Sequence, residues 1–342
     1  MAQLKKRIDY LDLLKGFAIL WIIWYHQPHP ELVDHYYHVP IFFFISGIVF
    51  KDKSLIDFIK GVVLHIMIPF LFFYLISYCF QISRFLFENL TVNGFEWNQI
   101  FDLFKQDNYI DYIRINRPLW FLVSLTVIQL LYYIICRIPQ FLILIICAIV
   151  FIFKEPILSW QTYFMFNQSL YWLIYFALGD ILGKWIVKRN ESTYNGPNSF
   201  LISKWKIVII FSSICLYIAI SQIAFHNNNS MISNLLYDTK VITFVVVSVL
   251  LFSYLKGNNI CIRLLRFYGQ NSLTVLGIHI LVSIIYGGFA FKLIGITGNN
   301  LIGFVIFILT SVTMVPIILF INRFLPFCVG KPVINFKASK KT

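Results

Sequence analysis

Long runs of apolar residues, separated by short polar segments, recur along this chain from residue 10 to residue 323. The runs are continuous and lack the alternation of outer-membrane strands, and most approach the roughly 20 residues that a helix needs to cross a bilayer. The pattern predicts an all-α, polytopic integral membrane protein with about ten transmembrane helices. The predicted spans, of which the second and fifth are short for a full crossing, are 10–26, 39–51, 62–85, 117–136, 139–153, 167–187, 206–225, 236–255, 271–291 and 301–323.

Composition supports a single membrane domain. Apolar residues make up 59% of the chain and charged residues only 13%, which is too apolar for a soluble globular protein. We predict one domain over residues 1–342, with a membrane-spanning core at 10–323 and a basic cytoplasmic tail at 324–342. The longest polar segment, at about 86–116, exceeds what a connection requires, so we expect it to cover a site or to bind a partner.

The placement of the basic residues predicts the topology. The net charge of +13 is by itself also typical of proteins that bind nucleic acid. With the N-terminus in the cytoplasm, the cytoplasmic segments contain 20 Lys and Arg residues and the outer segments contain 7. This asymmetry follows the positive-inside rule, and the charge then also contacts anionic lipid headgroups. We therefore predict that both termini are cytoplasmic, that membrane lipids are partners, and that nucleic acid is not.

The first predicted span contains ionisable residues that an ordinary membrane anchor excludes. Lys15 and His26 are eleven residues apart, so on a helix they share one face and lie roughly 16 Å apart along its axis. Asp12, one turn before Lys15, lies on the same stripe. Ionisable residues within a membrane usually face a bundle interior or a wet cavity and indicate a functional site. A structural alternative remains, in which Lys15 extends toward the cytoplasmic surface or pairs only with Asp12.

Four histidines lie close together near the outer end of this span, namely His26, His29, His35 and His38. Their spacing matches no standard zinc site, so we predict no metal, and we interpret His29 and His35 as ordinary loop residues. His26 differs because it shares a helical face with Lys15, and a neutral imidazole is the usual general base at physiological pH. We predict that His26 is catalytic and that Lys15 binds an anionic group, such as a phosphate, that enters from the cytoplasm.

Polar residues of the later spans are further candidates. Arg117 and Trp120 begin the fourth span, where arginine can recognise polar acceptor groups and tryptophan can stack on a sugar ring or simply anchor the helix. His279 lies inside the ninth span and is either a cavity residue or a hydrogen-bonded core residue. Ser46 either contacts substrate or, with the glycine that follows it, allows close helix packing. Asp180 is expected to pair with a cation of a neighbouring span.

Several short motifs occur in a fixed order along nearly the whole chain. They are Lys15 and His26 separated by ten residues, HVPIFFFISG from His38, LWFL from Leu119, YFALG from Tyr175, and GQNSL from Gly269 followed by His279. In this ordered combination the chain resembles the acyltransferase-3 superfamily of integral-membrane acyltransferases, and especially its branch of sugar and surface-polysaccharide O-acetyltransferases.

The resemblance implies an O-acetyltransferase of the bacterial inner membrane that moves an acetyl group from cytoplasmic acetyl-CoA to a hydroxyl of a cell-surface or lipid-linked glycan. It implies the ten-helix fold and no metal cofactor. The catalytic residues would be His26, Lys15 and Asp12. The substrate-binding residues would be His38, Ser46, His65, Arg117, Trp120, Asn271, Ser272 and His279.

Two positions depart from the family pattern. Lys15 replaces the commoner arginine, which keeps the charge but loses the bidentate geometry toward phosphate. In the third span, His65 stands where relatives often carry a basic residue before Ile-Pro.

Other functions and mechanisms stay open at this point. Transfer of another acyl group, such as succinyl, needs a different pocket and not a different fold. The rival class is a carrier or exporter of glycans or glycolipids, in which the buried charges line a transport path. The sequence also does not separate general-base catalysis from a covalent acyl-histidine, and it does not identify the acceptor sugar or the oligomeric state.

Overall fold

The computed structural model describes residues 8–27, 37–105, 113–187, 230–255, 257–295 and 300–332, together with short pieces of 207–219. These residues form helices joined by turns and loops. The π-helical turns Val63–Met67 and Gly179–Gly183 interrupt the third and seventh helices, and two 3-10 helices lie at Trp97–Phe104 and Pro326–Val329. The helices are α1 (Asp9–Tyr25), α2 (His38–Val49), α3 (Leu55–Asn89), α4 (Arg117–Ile135), α5 (Gln140–Ile152), α6 (Lys154–Leu158), α7 (Phe166–Val187), α8 (Ser230–Phe252), α9 (Ile260–Gln270), α10 (Ser272–Ile294) and α11 (Asn300–Phe324).

Six of the described helices are long and apolar enough to cross a membrane, namely α3, α4, α7, α8, α10 and α11. Helices α2 and α5 are apolar but shorter, as the sequence predicts for the second and fifth spans. These helices confirm the all-α membrane fold. The predicted seventh span, 206–225, lies mostly outside the described residues, so the total of ten crossings remains a prediction.

Helix α1 lies at the centre of the bundle and packs against α2, α8, α9, α10 and α11. Its buried residues occur on every face, which is typical of a helix surrounded by other helices. The α1–α9 crossing is especially close: a Cβ added to Gly16 would overlap the carbonyl oxygen of Leu265, and one added to Gly269 would overlap that of Asp12. Glycine at both positions therefore lets the two backbones touch, which fixes the helix that carries Lys15 and His26.

A second close crossing joins α2 to α7. A Cβ on Gly47 would overlap the carbonyl oxygen of Phe176, and one on Gly179 would overlap that of Phe44. The sequence allows two interpretations of the Ser46-Gly47 pair, substrate contact and close helix packing. Gly47 serves helix packing. The glycines of three of the sequence motifs, at 47, 179 and 269, all serve helix contact.

Asp180, in the π-helical turn of α7, corrects one expectation. Its carboxylate pairs with Lys184 of the same helix and accepts a hydrogen bond from the hydroxyl of Tyr132 at 2.7 Å. The cation is therefore one turn away on α7, because an i, i+4 pair satisfies the charge locally. The neighbouring span contributes a neutral hydroxyl.

The polar segment between α3 and α4 is folded onto α3. The hydroxyl of Tyr74 donates to the backbone oxygens of Gln99 and Ile100 at 3.2 and 2.9 Å, and that of Tyr78 donates to the oxygen of Trp97 at 3.0 Å. These bonds hold the 3-10 helix Trp97–Phe104 against the end of α3.

The amphipathic helix α9 is an element that the list of spans does not include. Its Arg266 binds the carboxylate of Asp9 through two hydrogen bonds of 2.5 and 2.7 Å. This guanidinium lowers the pKa of the Asp9 carboxyl, which precedes the first predicted span. The pair adds a charged contact to the close α1–α9 crossing.

Candidate active site

A cavity of about 1020 Å³ runs beside α1 and is bounded by α2, α3, α4 and α10. Its volume is at the upper end of the roughly 300–1,000 Å³ typical of ligand pockets. The lining includes most of the predicted site residues, namely Lys15, His26, His38, Ser46, His65, Arg117, Trp120 and Ser272. The remaining three, Asp12, Asn271 and His279, contact or adjoin these side chains.

The two ends of α1 place different chemistry in the same cavity. Lys15 and His26 both line it, which confirms that they share a face of the helix, and the roughly 16 Å between them spans most of α1. We call the Lys15 end, predicted to be cytoplasmic, the inner end, and the His26 end the outer end.

At the inner end, the ammonium of Lys15 lies 2.6 Å from the carboxylate of Asp12. The Lys15 side chain is 23% exposed and that of Asp12 only 5%, so the carboxylate holds the lysine while the cation still reaches the cavity. The geometry is thus compatible with both interpretations of this pair, a purely structural ion pair and a lysine that binds an anion in the cavity. A lysine pinned by one buried carboxylate keeps two N–H donors for an incoming anion.

Residues Gly330 and Lys331 bind side chains at and beside the inner end. The carbonyl of Gly330 accepts a hydrogen bond from Nδ1 of His65 at 3.0 Å. The ammonium of Lys331 donates to the side-chain oxygens of Asn271 and Asn322 at 2.6 and 2.8 Å. We call this set of contacts the C-terminal clasp. The side-chain oxygen of Asn271, a predicted substrate-binding residue, is therefore hydrogen-bonded within the protein. Its neighbour Ser272 lines the cavity wall.

At the outer end, His26 follows the last residue of α1 and lies among other imidazoles. Its ring centroid is 5.2 Å from that of His279, and the ring of His38 lies 5.3 Å from that of the adjacent Tyr25, tilted by 43°. Within the described part of the chain, the ring nitrogens of His26 make no hydrogen bond, so they are available to a ligand in the cavity.

His279 is fully buried behind His26. Its Nδ1 donates to the carbonyl oxygen of Val275 at 2.8 Å, which leaves Nε2 as an acceptor in the neutral ring. That Nε2 is buried and has no hydrogen-bond partner among the described residues. Of the two sequence alternatives, the structure favours the second: His279 is a hydrogen-bonded core residue, and its ring lies beside that of His26 without lining the cavity.

The outer mouth is formed by α4 and the residues before it. Arg117 and Trp120 line the cavity there, as predicted, and the indole of Trp120 packs 6.2 Å from that of Trp172. This aromatic contact holds a half-buried ring at the cavity wall. Ser46 also lines the cavity, but its hydroxyl donates to the carbonyl oxygen of Phe42 at 2.7 Å within α2.

Sequence reasoning missed several polar residues of this mouth, namely Gln81, Arg84, Arg114 and Asn116. Gln81 and Arg84 belong to the end of α3, and Arg114 and Asn116 belong to the loop before α4. The sequence predicts that loop only as part of an outer segment that covers a site. The pattern that could have indicated them is the cluster of polar residues at the start of the fourth span, from Arg114 to Arg117. His29 and His35 lie outside the described residues.

The arrangement can bind a long ligand with an anionic end. A cation and a hydroxyl lie at the inner end, an imidazole with open nitrogens lies at the outer end, and aromatic and apolar side chains line the wall between them. Such a cavity can bring a reactive group from one side of a membrane to a base near the other side.

Comparison with known proteins gives a family match over nearly the whole chain. A protein-family model described as an acyltransferase domain, Acyl_transf_3, matches residues 8–322. No curated protein and no solved structure gives a significant match to the chain.

Proposed function

Because this chain belongs to the acyltransferase-3 family of membrane acyltransferases, we propose that it transfers an acetyl group from cytoplasmic acetyl-CoA to a hydroxyl of a cell-surface or lipid-linked glycan. The observation that carries the proposal is that Lys15 and His26 line opposite ends of one cavity. Their separation is comparable to the reach of an extended pantetheine arm. The phosphates of the donor would bind at the inner end, and the thioester would lie near His26.

Each end of the cavity then has a defined task. Lys15, held by Asp12, binds the donor phosphates together with Ser272 and His65. His26 removes the proton of the acceptor hydroxyl as it attacks the thioester carbonyl, and coenzyme A leaves as the thiolate. In the covalent variant, His26 itself takes the acetyl group first and then passes it to the hydroxyl. His279 packs against the His26 ring and limits its orientation.

The proposed cellular setting follows from the same topology. We place the protein in the inner membrane of a bacterium, with both termini in the cytoplasm. The inner end of the cavity then opens to cytoplasmic acetyl-CoA, and the outer end presents the acetyl group to a glycan on the far side. Membrane lipids surround the apolar surfaces of α3, α5 and α11, which are largely exposed.

Labelled donor tests the proposed reaction directly. Membranes that contain the protein should transfer label from [acetyl-14C]acetyl-CoA to glycan in an alkali-labile ester, whereas membranes without it should not. Label that appears only from succinyl-CoA would identify another acyl group. Glycan that crosses the membrane without gaining any acyl group would favour a carrier or exporter.

Lys15 provides a test of the donor site. Replacing Lys15 with alanine should raise the KM for acetyl-CoA about 10- to 100-fold, because a charge-assisted hydrogen bond to phosphate is lost. Lys15→Arg should keep most of the affinity, since the family commonly has arginine there. The measurement is the initial rate against acetyl-CoA concentration in membranes with matched protein levels.

Lys60→Ala is the matched control for the loss of a lysine on the same side. Lys60 is exposed on α3 and is not part of the cavity lining. An unchanged KM in Lys15→Ala, or an equal rise in Lys60→Ala, would contradict a specific donor contact.

A further inference from the structure

The cavity wall carries basic side chains and no acidic ones. Within the part of the chain that the structure describes, the lining contains lysine, histidine and arginine side chains but no aspartate or glutamate. The three arginines of the lining, Arg84, Arg114 and Arg117, lie at the outer mouth. A site of one charge sign raises the local concentration of ligands of the opposite sign. Donor phosphates at the inner end do not account for cations at the outer end.

The three arginines differ in how far protein carboxylates neutralise them. Arg84 pairs with Glu88 at 2.9 Å. Arg114 lies 3.3 Å from carboxylate oxygens of both Glu96 and Asp102. Arg117 makes no hydrogen bond and no ion pair with any described residue, although it lines the cavity. Its guanidinium therefore offers a fork of donors that suits a carboxylate or a phosphate.

Asn116 supplies a second, independent observation at the same mouth. The residue is only 1% exposed, and its Nδ2 donates to the hydroxyl of Ser77 and to the carbonyl of Gly277, both at 2.8 Å. These two bonds fix the amide, yet its Oδ1 is buried without a hydrogen-bond partner among the described residues. A buried acceptor without a donor is costly, and a ligand hydroxyl or water would satisfy it.

The position of Arg117 relative to His26 indicates that its guanidinium would contact the acceptor and not the donor phosphates. Arg117 and His26 line the same cavity. It also lies one turn before Trp120, whose ring is part of the same wall. A ligand that occupies the outer mouth therefore reaches an anion-binding arginine, an aromatic face and the candidate base at once.

We propose that the acceptor is an acidic glycan, whose carboxylate or phosphate binds Arg117 while a neighbouring hydroxyl is presented to His26. This inference rests on the proposed acyl transfer, because it names the class of acceptor for that reaction. The attacking hydroxyl loses its proton to His26 and gains the acyl group, and the anionic group binds without reacting.

The test compares acidic and neutral sugars of matched size. Full-length protein is placed in phosphatidylcholine nanodiscs, so that both ends of the cavity are accessible and no anionic lipid competes. The acceptor pairs are trigalacturonate with galactotriose, and glucose 6-phosphate with glucose. Two readouts are taken: transfer of label from acetyl-CoA, and the fluorescence change of Trp120, obtained by subtracting the signal of Trp120→Phe.

The expected result is saturable binding of at least one acidic sugar with weaker binding of its neutral partner. Arg117→Gln should lower the acidic-to-neutral ratio of kcat/KM about tenfold or more, because a charge-assisted bidentate contact is lost. Arg117→Lys should restore part of the ratio. Arg137→Gln, which removes an exposed arginine outside the cavity lining, should leave the ratio unchanged. The two acidic sugars separate carboxylate from phosphate recognition.

The two readouts separate failure of this inference from failure of the proposed function. Equal or stronger binding of the neutral sugars, or an unchanged ratio in Arg117→Gln, overturns the acidic acceptor even if acetyl transfer is observed. Selective binding of acidic sugars without any transfer or hydrolysis of acetyl-CoA overturns the acyl-transfer proposal and leaves the anion site at Arg117 standing.

Discussion

Replacing His26 with alanine is expected to lower acetyl transfer roughly 10²- to 10⁴-fold, the range that a positioned general base contributes. The imidazole is the group with open nitrogens at the outer end of the cavity, and alanine leaves the acceptor hydroxyl without a base. The KM for acetyl-CoA should change little, since the donor contact proposed for Lys15 is about 16 Å away along α1. Transfer from labelled acetyl-CoA, at matched membrane levels, measures both quantities.

A nearby histidine provides the control for this substitution. His29→Ala removes an imidazole three residues further along the chain, and we expect wild-type rates because that histidine was assigned no role. Comparable losses in both variants would show that the effect is not specific to His26. A labelled histidine that survives denaturation after brief exposure to acetyl-CoA would select the covalent mechanism over general-base catalysis.

The second large effect, on folding, is expected at Gly269, which takes no part in the proposed reaction. Gly269→Ala should prevent normal folding or lower the free energy of unfolding by at least about 3 kcal/mol, since overpacking of this size cannot be relieved by a side-chain rotation. The added methyl would overlap the backbone carbonyl oxygen of Asp12, so α1 and α9 would have to separate. We would measure the yield of monodisperse protein in mild detergent and its thermal unfolding midpoint.

Gly288→Ala is the matched control within another membrane helix. A Cβ at Gly288 has no atom within 4 Å, so alanine there should leave yield and midpoint near those of the wild type. Alanine is moreover the better helix former of the two residues. Wild-type behaviour of Gly269→Ala would mean that the close α1–α9 crossing is not required for the fold.

The sequence predicted the helices well because membrane spans depend on local composition. The fourth span, predicted at 117–136, is observed as the helix Arg117–Ile135, and the last, predicted at 301–323, is observed as Asn300–Phe324. In both cases an apolar run of sufficient length is the whole physical requirement. The same rule does not find α9, since this helix is amphipathic and contains Arg263 and Arg266.

The sequence predicted the site residues that share one helix. It missed those that come together only through the fold. Lys15 and His26 have a fixed spacing along α1, so their common face follows from helical geometry alone. No local pattern indicates a contact between residues of helices that lie far apart in the sequence. Asn116 was missed for the same reason, because its partners Ser77 and Gly277 lie on helices far away in the sequence.

The C-terminal clasp has a practical consequence for how this protein is produced. The family match ends at residue 322, and a domain boundary drawn there by similarity would look natural for expression. Yet Gly330 and Lys331 bind His65, Asn271 and Asn322, so a chain cut at that boundary would lack the partners of these three side chains. Affinity tags and fluorescent fusions therefore belong after residue 342, and inactivity of a shortened protein would not test the role proposed for His26.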